Sequence, residues 1–182
     1  MTFHPVIVHF PVAALTIYVL LELIPFKKLT TQPYWFYVKA VFAIVGIMGA
    51  FAATMTGDGA KALVLSGADG MAHQVPNLRH AINVHENWAD VTVGVFGILG
   101  GSYAVLWIDR THILSCFPNR IFQRLWKLLL KLCHACVETK LVIFLALFGL
   151  LAITITGSLG GLIVYGPNTD PVINAVYNLL VK

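Results

Sequence analysis

Five of the seven histidines in this chain of 182 residues, His4, His9, His73, His80 and His85, fall on one predicted side of apolar stretches that themselves hold few titratable groups. Ionisable side chains at the edge of an apolar helix are costly there, and their presence points to a role. A neutral imidazole facing the inside of a helical bundle can ligate heme iron, and two on different helices can clamp one heme from both faces. The expected axial pair is His9 and His85, because each is the second histidine of a His-x-x-x-Val-His hexapeptide, HPVIVH (His4 to His9) and HAINVH (His80 to His85), and each is nearest its apolar stretch. The plainer reading of any one of them is an interfacial histidine bonded to a freed backbone carbonyl.

Glycines extend the same argument, since a flat macrocycle between helices needs faces without side chains. Gly46 and Gly49, Gly94, Gly97, Gly100 and Gly101, and Gly157, Gly160 and Gly161 offer such faces, and with Gly57 those of the last group are at the depth of the histidines. Small-x-x-x-small spacing equally lets helices approach closely with no ligand between them. Pro5 fits a first helical turn, whereas Pro11 removes a backbone bond and is expected to kink the chain and aim His9 inward. Arg79 and Lys61 are the cations placed to meet heme propionates. Asp58, Glu86 and Asp90 could orient a histidine, or build a non-heme metal site with His4, His9, His80 and His85.

Two other groups are weaker candidates. Cys133-His134-Ala135-Cys136, with His112 and Cys116, has the makings of a zinc set, but Cys133 and Cys136 fall in an amphipathic stretch where cysteine serves as a small apolar filler. Glu22 is the one acid deep in an apolar stretch; snorkelling Lys27 or Lys28 is its expected partner, and a proton relay is the functional alternative. Phosphate loops, dinucleotide fingerprints, metalloprotease motifs, nucleophile elbows and nucleic-acid-binding patterns are all missing from the sequence. Whether the chain is an enzyme stays open.

The elements that must carry these residues follow from composition. With 58% of residues hydrophobic and 11% charged, the chain has too few charges for the surface of a soluble domain. Four stretches, near 6–24, 34–56, 88–108 and 141–165, reach the roughly 20 helical residues that cross a hydrocarbon core. No base precedes the first, so a spanning helix is expected there and not a removable signal peptide. Lys27, Lys28, Lys39, Arg110, Arg120, Arg124, Lys127, Lys131 and Lys140 fall at one end of these spans, and only Lys61, Arg79 and Lys182 at the other. The positive-inside rule then predicts a multi-pass inner-membrane protein with both termini outside.

Between the third and fourth spans, Arg120, Arg124, Lys127, Lys131 and His134 recur at helical spacing, with Leu and Phe opposite, which predicts an interfacial amphipathic helix over 119–137. A short helix is expected over 171–181, capped by Asp170 and opened by Pro171, with Val172, Val176 and Leu179 on one face. The paired hexapeptides, together with Thr56-Gly57 and Thr156-Gly157, suggest two helical hairpins related by a pseudo-twofold axis. The expected fold is therefore all-α, a single integral membrane domain over 1–182: a four-helix bundle with an interfacial helix and a 2+2 pseudo-repeat.

HPVIVHFP (His4 to Pro11), HENWA from His85 and GSLGGLIVYG (Gly157 to Gly166) together resemble an uncharacterised bacterial four-helix inner-membrane family that opens with His-Pro-x-x-Val-His-Phe-Pro. The resemblance spans most of the chain, and some members look joined to Rieske-like or cytochrome-like redox domains, which implies electron transfer. By motif it carries over His4, His9, His85, Gly157, Gly160, Gly161 and Tyr165. Gly166-Pro167 replaces a family segment containing His-Gly, so any ligand placed there is missing. The resulting expectation is a b-type heme protein ligated by His9 and His85 near the outer face, serving a quinone pool or a membrane redox complex, with no nucleic-acid partner. A cofactor-free assembly subunit of a larger complex or oligomer, and a non-heme metal protein, are the alternatives.

Overall fold

Each long helix buries one stripe of residues at three- and four-residue spacing, the mark of a helix packed on one side. A computed structural model describes residues 4–24, 26–67, 75–111 and 120–182. It contains α1 (His4–Leu23), a single turn α2 (Lys27–Thr30), α3 (Pro33–Leu65), α4 (Leu78–Arg110), α5 (Arg120–Glu138), α6 (Leu141–Tyr165) and α7 (Pro171–Leu180), with no strand among the described residues. His73, His112 and Cys116 lie outside them. The all-α membrane bundle is therefore what the chain forms. α1, α3, α4 and α6 are each long and apolar enough to cross a bilayer. Their outer sides expose large apolar groups such as Val6 and Met55, at 73% and 83%; acyl chains suit such a surface.

The most extensive contacts pair α1 with α3 and α4 with α6, and α3 against α4 and α1 against α6 close the ring. Tyr18 of α1 meets Phe96 and Tyr103 of α4 edge-on across the middle, at ring-centre distances of 6.3 and 5.8 Å. Small residues set the close approaches. A Cβ on Gly46 would lie 2.5 Å from Leu15 Cδ2, one on Gly149 2.7 Å from Phe96 Cζ, and one on Gly100 2.9 Å from Ile47 Cγ2 and 3.0 Å from the Ala43 carbonyl oxygen. In lipid, where apolar burial drives little, such van der Waals packing is what holds helices together.

Three expectations shift. Helix extends beyond the apolar stretches expected at 34–56 and 88–108, because α3 continues to Leu65 and α4 starts at Leu78. Hydropathy locates the part of a helix inside the hydrocarbon; at 33 residues each, these run to roughly 50 Å and project well past it. α1 continues as helix through Pro11, whose ring is buried against α3, and His9 is exposed and not aimed inward. In α7, capped as expected by Asp170 Oδ1 on the Val172 amide at 2.7 Å, the packed face is Ile173, Val176, Tyr177 and Leu180, while Val172 and Leu179 are exposed. The expected face is displaced by one residue because Gly161 of α6 leaves a notch that Ile173 fills.

α5 lies against α4 and α6 through Cys133 and Val137, and Trp126 Nε1 donates to Asp109 Oδ1 at 3.0 Å. Ile121, Leu125, Leu128 and Leu132 form one exposed apolar stripe, and Arg120, Arg124, Lys127 and Lys131 form another beside it. This is the amphipathic helix of the sequence, docked by its third face.

Candidate functional site

His4 and His85 lie on the stripes that α1 and α4 turn inward. On α1 the buried positions are Pro11, Ala14, Leu15, Tyr18 and Val19; stepping back from Pro11 by one helical heptad reaches His4. On α4 the run Ala81, Ile82, Thr92, Phe96 and Leu99 includes the position of His85 in the same way. The residues of each hexapeptide pair are five apart, which turns them about 140° from one another on a helix. His9 and His80 accordingly fall on other faces, and both are exposed. His9 Nδ1 bonds to the Pro5 carbonyl of its own helix.

The imidazole brought within electrostatic range of His85 is therefore that of His4. His9, expected to oppose His85, is not the group that does so. The two hexapeptides contribute their first and second histidines respectively, so the sequence repeat in its simple register does not describe the site, although the pair of hairpins does. Each histidine reaches across its own hairpin to the threonine of a Thr-Gly pair: His4 Nδ1 is 2.9 Å from Thr56 Oγ1 on α3, and His85 Nδ1 is 3.0 Å from the Thr156 carbonyl oxygen on α6.

These bonds fix the rings. A carbonyl only accepts, so His85 carries its proton on Nδ1. The Thr56 hydroxyl lies within hydrogen-bonding distance of the α3 carbonyls of Ala53 and Ala52, at 3.0 and 3.3 Å, and with its one hydrogen given to them it accepts from His4 Nδ1–H. In both rings Nε2 is left with its lone pair, the arrangement in which a hydrogen bond on the far nitrogen orients a metal-binding imidazole. Thr156 Oγ1 donates to Ala152 O and sits 3.2 Å from Thr92 Oγ1, tying α4 to α6 beside His85.

A glycine lies beside each ring. A Cβ on Gly57 would stand 3.7 Å from His4 Cε1, and one on Gly160 3.4 Å from His85 Cε1. Gly161 is occupied by Ile173, and Gly157 faces open space, so neither forms a wall of this site. Lys61 is engaged with Glu86 in a half-exposed ion pair at 2.8 Å. Arg79 and His80 line an open groove between the end of α3 and the start of α4, with Val64, Leu65 and Asn77.

Among the described residues no group of three or more His, Cys, Asp or Glu side chains comes together, so the four-histidine site does not form. In the Cys-x-x-Cys segment Cys133 is buried as filler, and His134 pairs with Glu138 at 3.0 Å along α5. Thr56 and Thr156 are the site residues that sequence reasoning passed over. Their repeat beside glycine was visible, but nothing in a Thr-Gly pair announces that a histidine rests on it.

A scan against family models and searches of curated proteins and of solved structures find no match to this chain.

Proposed function

We propose that this chain is a membrane electron-transfer protein that holds one b-type heme between His4 and His85. The observation that carries the reading is the pair of imidazoles on opposite helices, each anchored through Nδ1 and each presenting Nε2. Two neutral imidazoles are the donor set of a low-spin heme, and the glycines beneath them, Gly57 and Gly160, leave the rings free of neighbouring side chains on that side. Bound there, heme supplies a one-electron couple. The chain's own part is to hold both rings through Thr56 and Thr156, to offer Arg79 to propionates, and to bring the centre to one surface of the bilayer.

The distribution of bases supports an inner-membrane orientation with the histidine-bearing end outside and α5 at the cytoplasmic surface. A centre at that depth suits exchange of electrons between a quinone or membrane redox partner and an acceptor outside.

Absorption spectra of the purified protein, oxidised and dithionite-reduced after expression with ample heme supply, test this. A Soret band that sharpens on reduction with a resolved alpha band is expected, abolished by H4A and by H85A and retained by H9A. A featureless spectrum of folded protein overturns the heme reading, and then a cofactor-free subunit predicts that the chain co-purifies with larger membrane proteins whether or not the histidines are present.

A further inference from the structure

The opposite, basic end of the bundle encloses a second polar cluster that the histidine pair does not use. Glu22, in the last turn of α1, has a side chain only 3% exposed. Its Oε2 accepts from Lys39 Nζ of α3 at 2.8 Å, and its Oε1 from Tyr103 Oη of α4 at 2.5 Å. The expected partners Lys27 and Lys28 are both exposed on α2, and Lys39 takes their place. Tyr18, one turn further in on α1, is completely buried, its ring edge-on to Tyr103, and its hydroxyl interacts with the Glu22 carboxyl and the Tyr103 hydroxyl without a close hydrogen bond to either.

Neither stability nor packing calls for this arrangement. A buried ion pair rarely holds a protein together better than apolar groups of the same volume. What a carboxylate, an ammonium and two phenols in one contact network do supply is a chain of exchangeable protons.

The facing groups are few. α3 contributes Lys39, α4 contributes Tyr103, and the positions α6 presents to this part of the core, Val142 and Ala146, do not titrate. Arg110 is held over the Phe36 ring at 3.5 Å, with Phe36 in turn against Tyr103. On α5, Cys133 sits beside Ser102, the residue before Tyr103.

We propose that Glu22, Lys39, Tyr103 and Tyr18 form a proton-exchange site that opens to the basic end through Lys39. Lys39, at 16% exposure the more accessible member of the ion pair, is the mouth. A proton crosses from Lys39 Nζ to Glu22 Oε2, leaving a neutral amine and a carboxylic acid; the amine then takes a proton from water at the basic end. The net change is one solvent proton stored on Glu22, with Tyr103 holding the carboxyl in place and the buried Tyr18 ring packed against Tyr103. Discharge is the reverse. The site stands on its own geometry and does not depend on heme at the other end.

Infrared difference spectroscopy of the whole protein in proteoliposomes, perfused alternately with acidic and alkaline buffer, tests it. The expected result is a reversible carboxylic-acid carbonyl band that E22Q removes and Y103F shifts. Absence of any Glu22-dependent carbonyl band over the pH range in which the protein stays folded overturns the proposal and leaves a permanent ion pair. Should E22Q fail to fold, Y103F decides on its own: a wild-type band that it leaves unmoved belongs to another acid and overturns the assignment.

Discussion

Thr56 and Thr156 occupy matching places in the two hairpins but hold their histidines by different atoms, one by its hydroxyl and the other by its main chain. Substitution separates them. Thr56→Val keeps the volume and removes the acceptor for His4 Nδ1–H, whereas Thr156→Val leaves the carbonyl that His85 uses. If the pair ligates heme, T56V lowers heme affinity by about 10- to 100-fold, the usual effect of removing the partner that orients a metal-binding histidine, and T156V leaves it near wild type. Heme titration of the apo-protein, followed at the Soret band, measures both; equal losses would mean that the threonines act through packing. At this scale the sequence disclosed which residue types matter and not which copies. His4 and His9 are equally histidine, and choosing between them takes the phase of the buried stripe, set by Pro11, Leu15 and Tyr18 further along α1. That phase is legible once the stripe is extended backward. The partner of Glu22 was not, because Lys39 lies 17 residues away on another helix and only the rotation of α3 brings it across.

Among the elements, the spans were readable because crossing a hydrocarbon core forces long apolar runs, and their ends were not, because α3 and α4 continue as helix after the apolar run stops. α5 was readable for a related reason: its charges and apolar groups segregate at helical spacing. Which of its faces meets the bundle depends on contacts that the sequence does not encode locally, and it is Cys133 and Val137 that do so. Burial pushes the Cys133 thiol up, against a smaller opposing effect of its hydrogen bond with Ser102. Thiolate is the reactive form, so alkylation of Cys133 needs a higher pH than that of an ordinary thiol, while the more accessible Cys136 reacts first. The sign for stability is fixed by the same shift. The folded chain keeps the Cys133 proton where the unfolded chain has lost it, so this residue lowers stability as pH rises through the unfolded thiol's range and has no effect below it. Rates of maleimide labelling against pH in a C116S background, with modified peptides identified by mass, check the order; simultaneous labelling of both cysteines would place α5 away from the bundle.

For the molecule as a whole, the two hairpins are the natural units. α1 with α3 and α4 with α6 share the broadest contacts, each hairpin holds its own histidine, and the connection between them reaches only from the end of α3 to the start of α4. In a bilayer, helices inserted separately can associate afterwards if their faces fit. Two co-expressed fragments, 1–70 and 71–182, are therefore expected to assemble in the membrane and co-purify. The face that joins them holds a close approach: Gly100 of α4 sits against Ala43 and Ile47 of α3, where a Cβ would approach backbone and side chain at 3.0 Å or less. Gly100→Leu in the second fragment should abolish co-purification, whereas the same change at Gly94, which has nothing within 4 Å, should not. In the unbroken chain the connection holds the hairpins at high effective concentration, so G100L there is expected to destabilise by about 1–3 kcal/mol, the usual cost of overpacking. Fragments that co-purify equally well with either leucine would show that the hairpins meet on a different face, and the juxtaposition of His4 with His85, which spans the two hairpins, would fall with it.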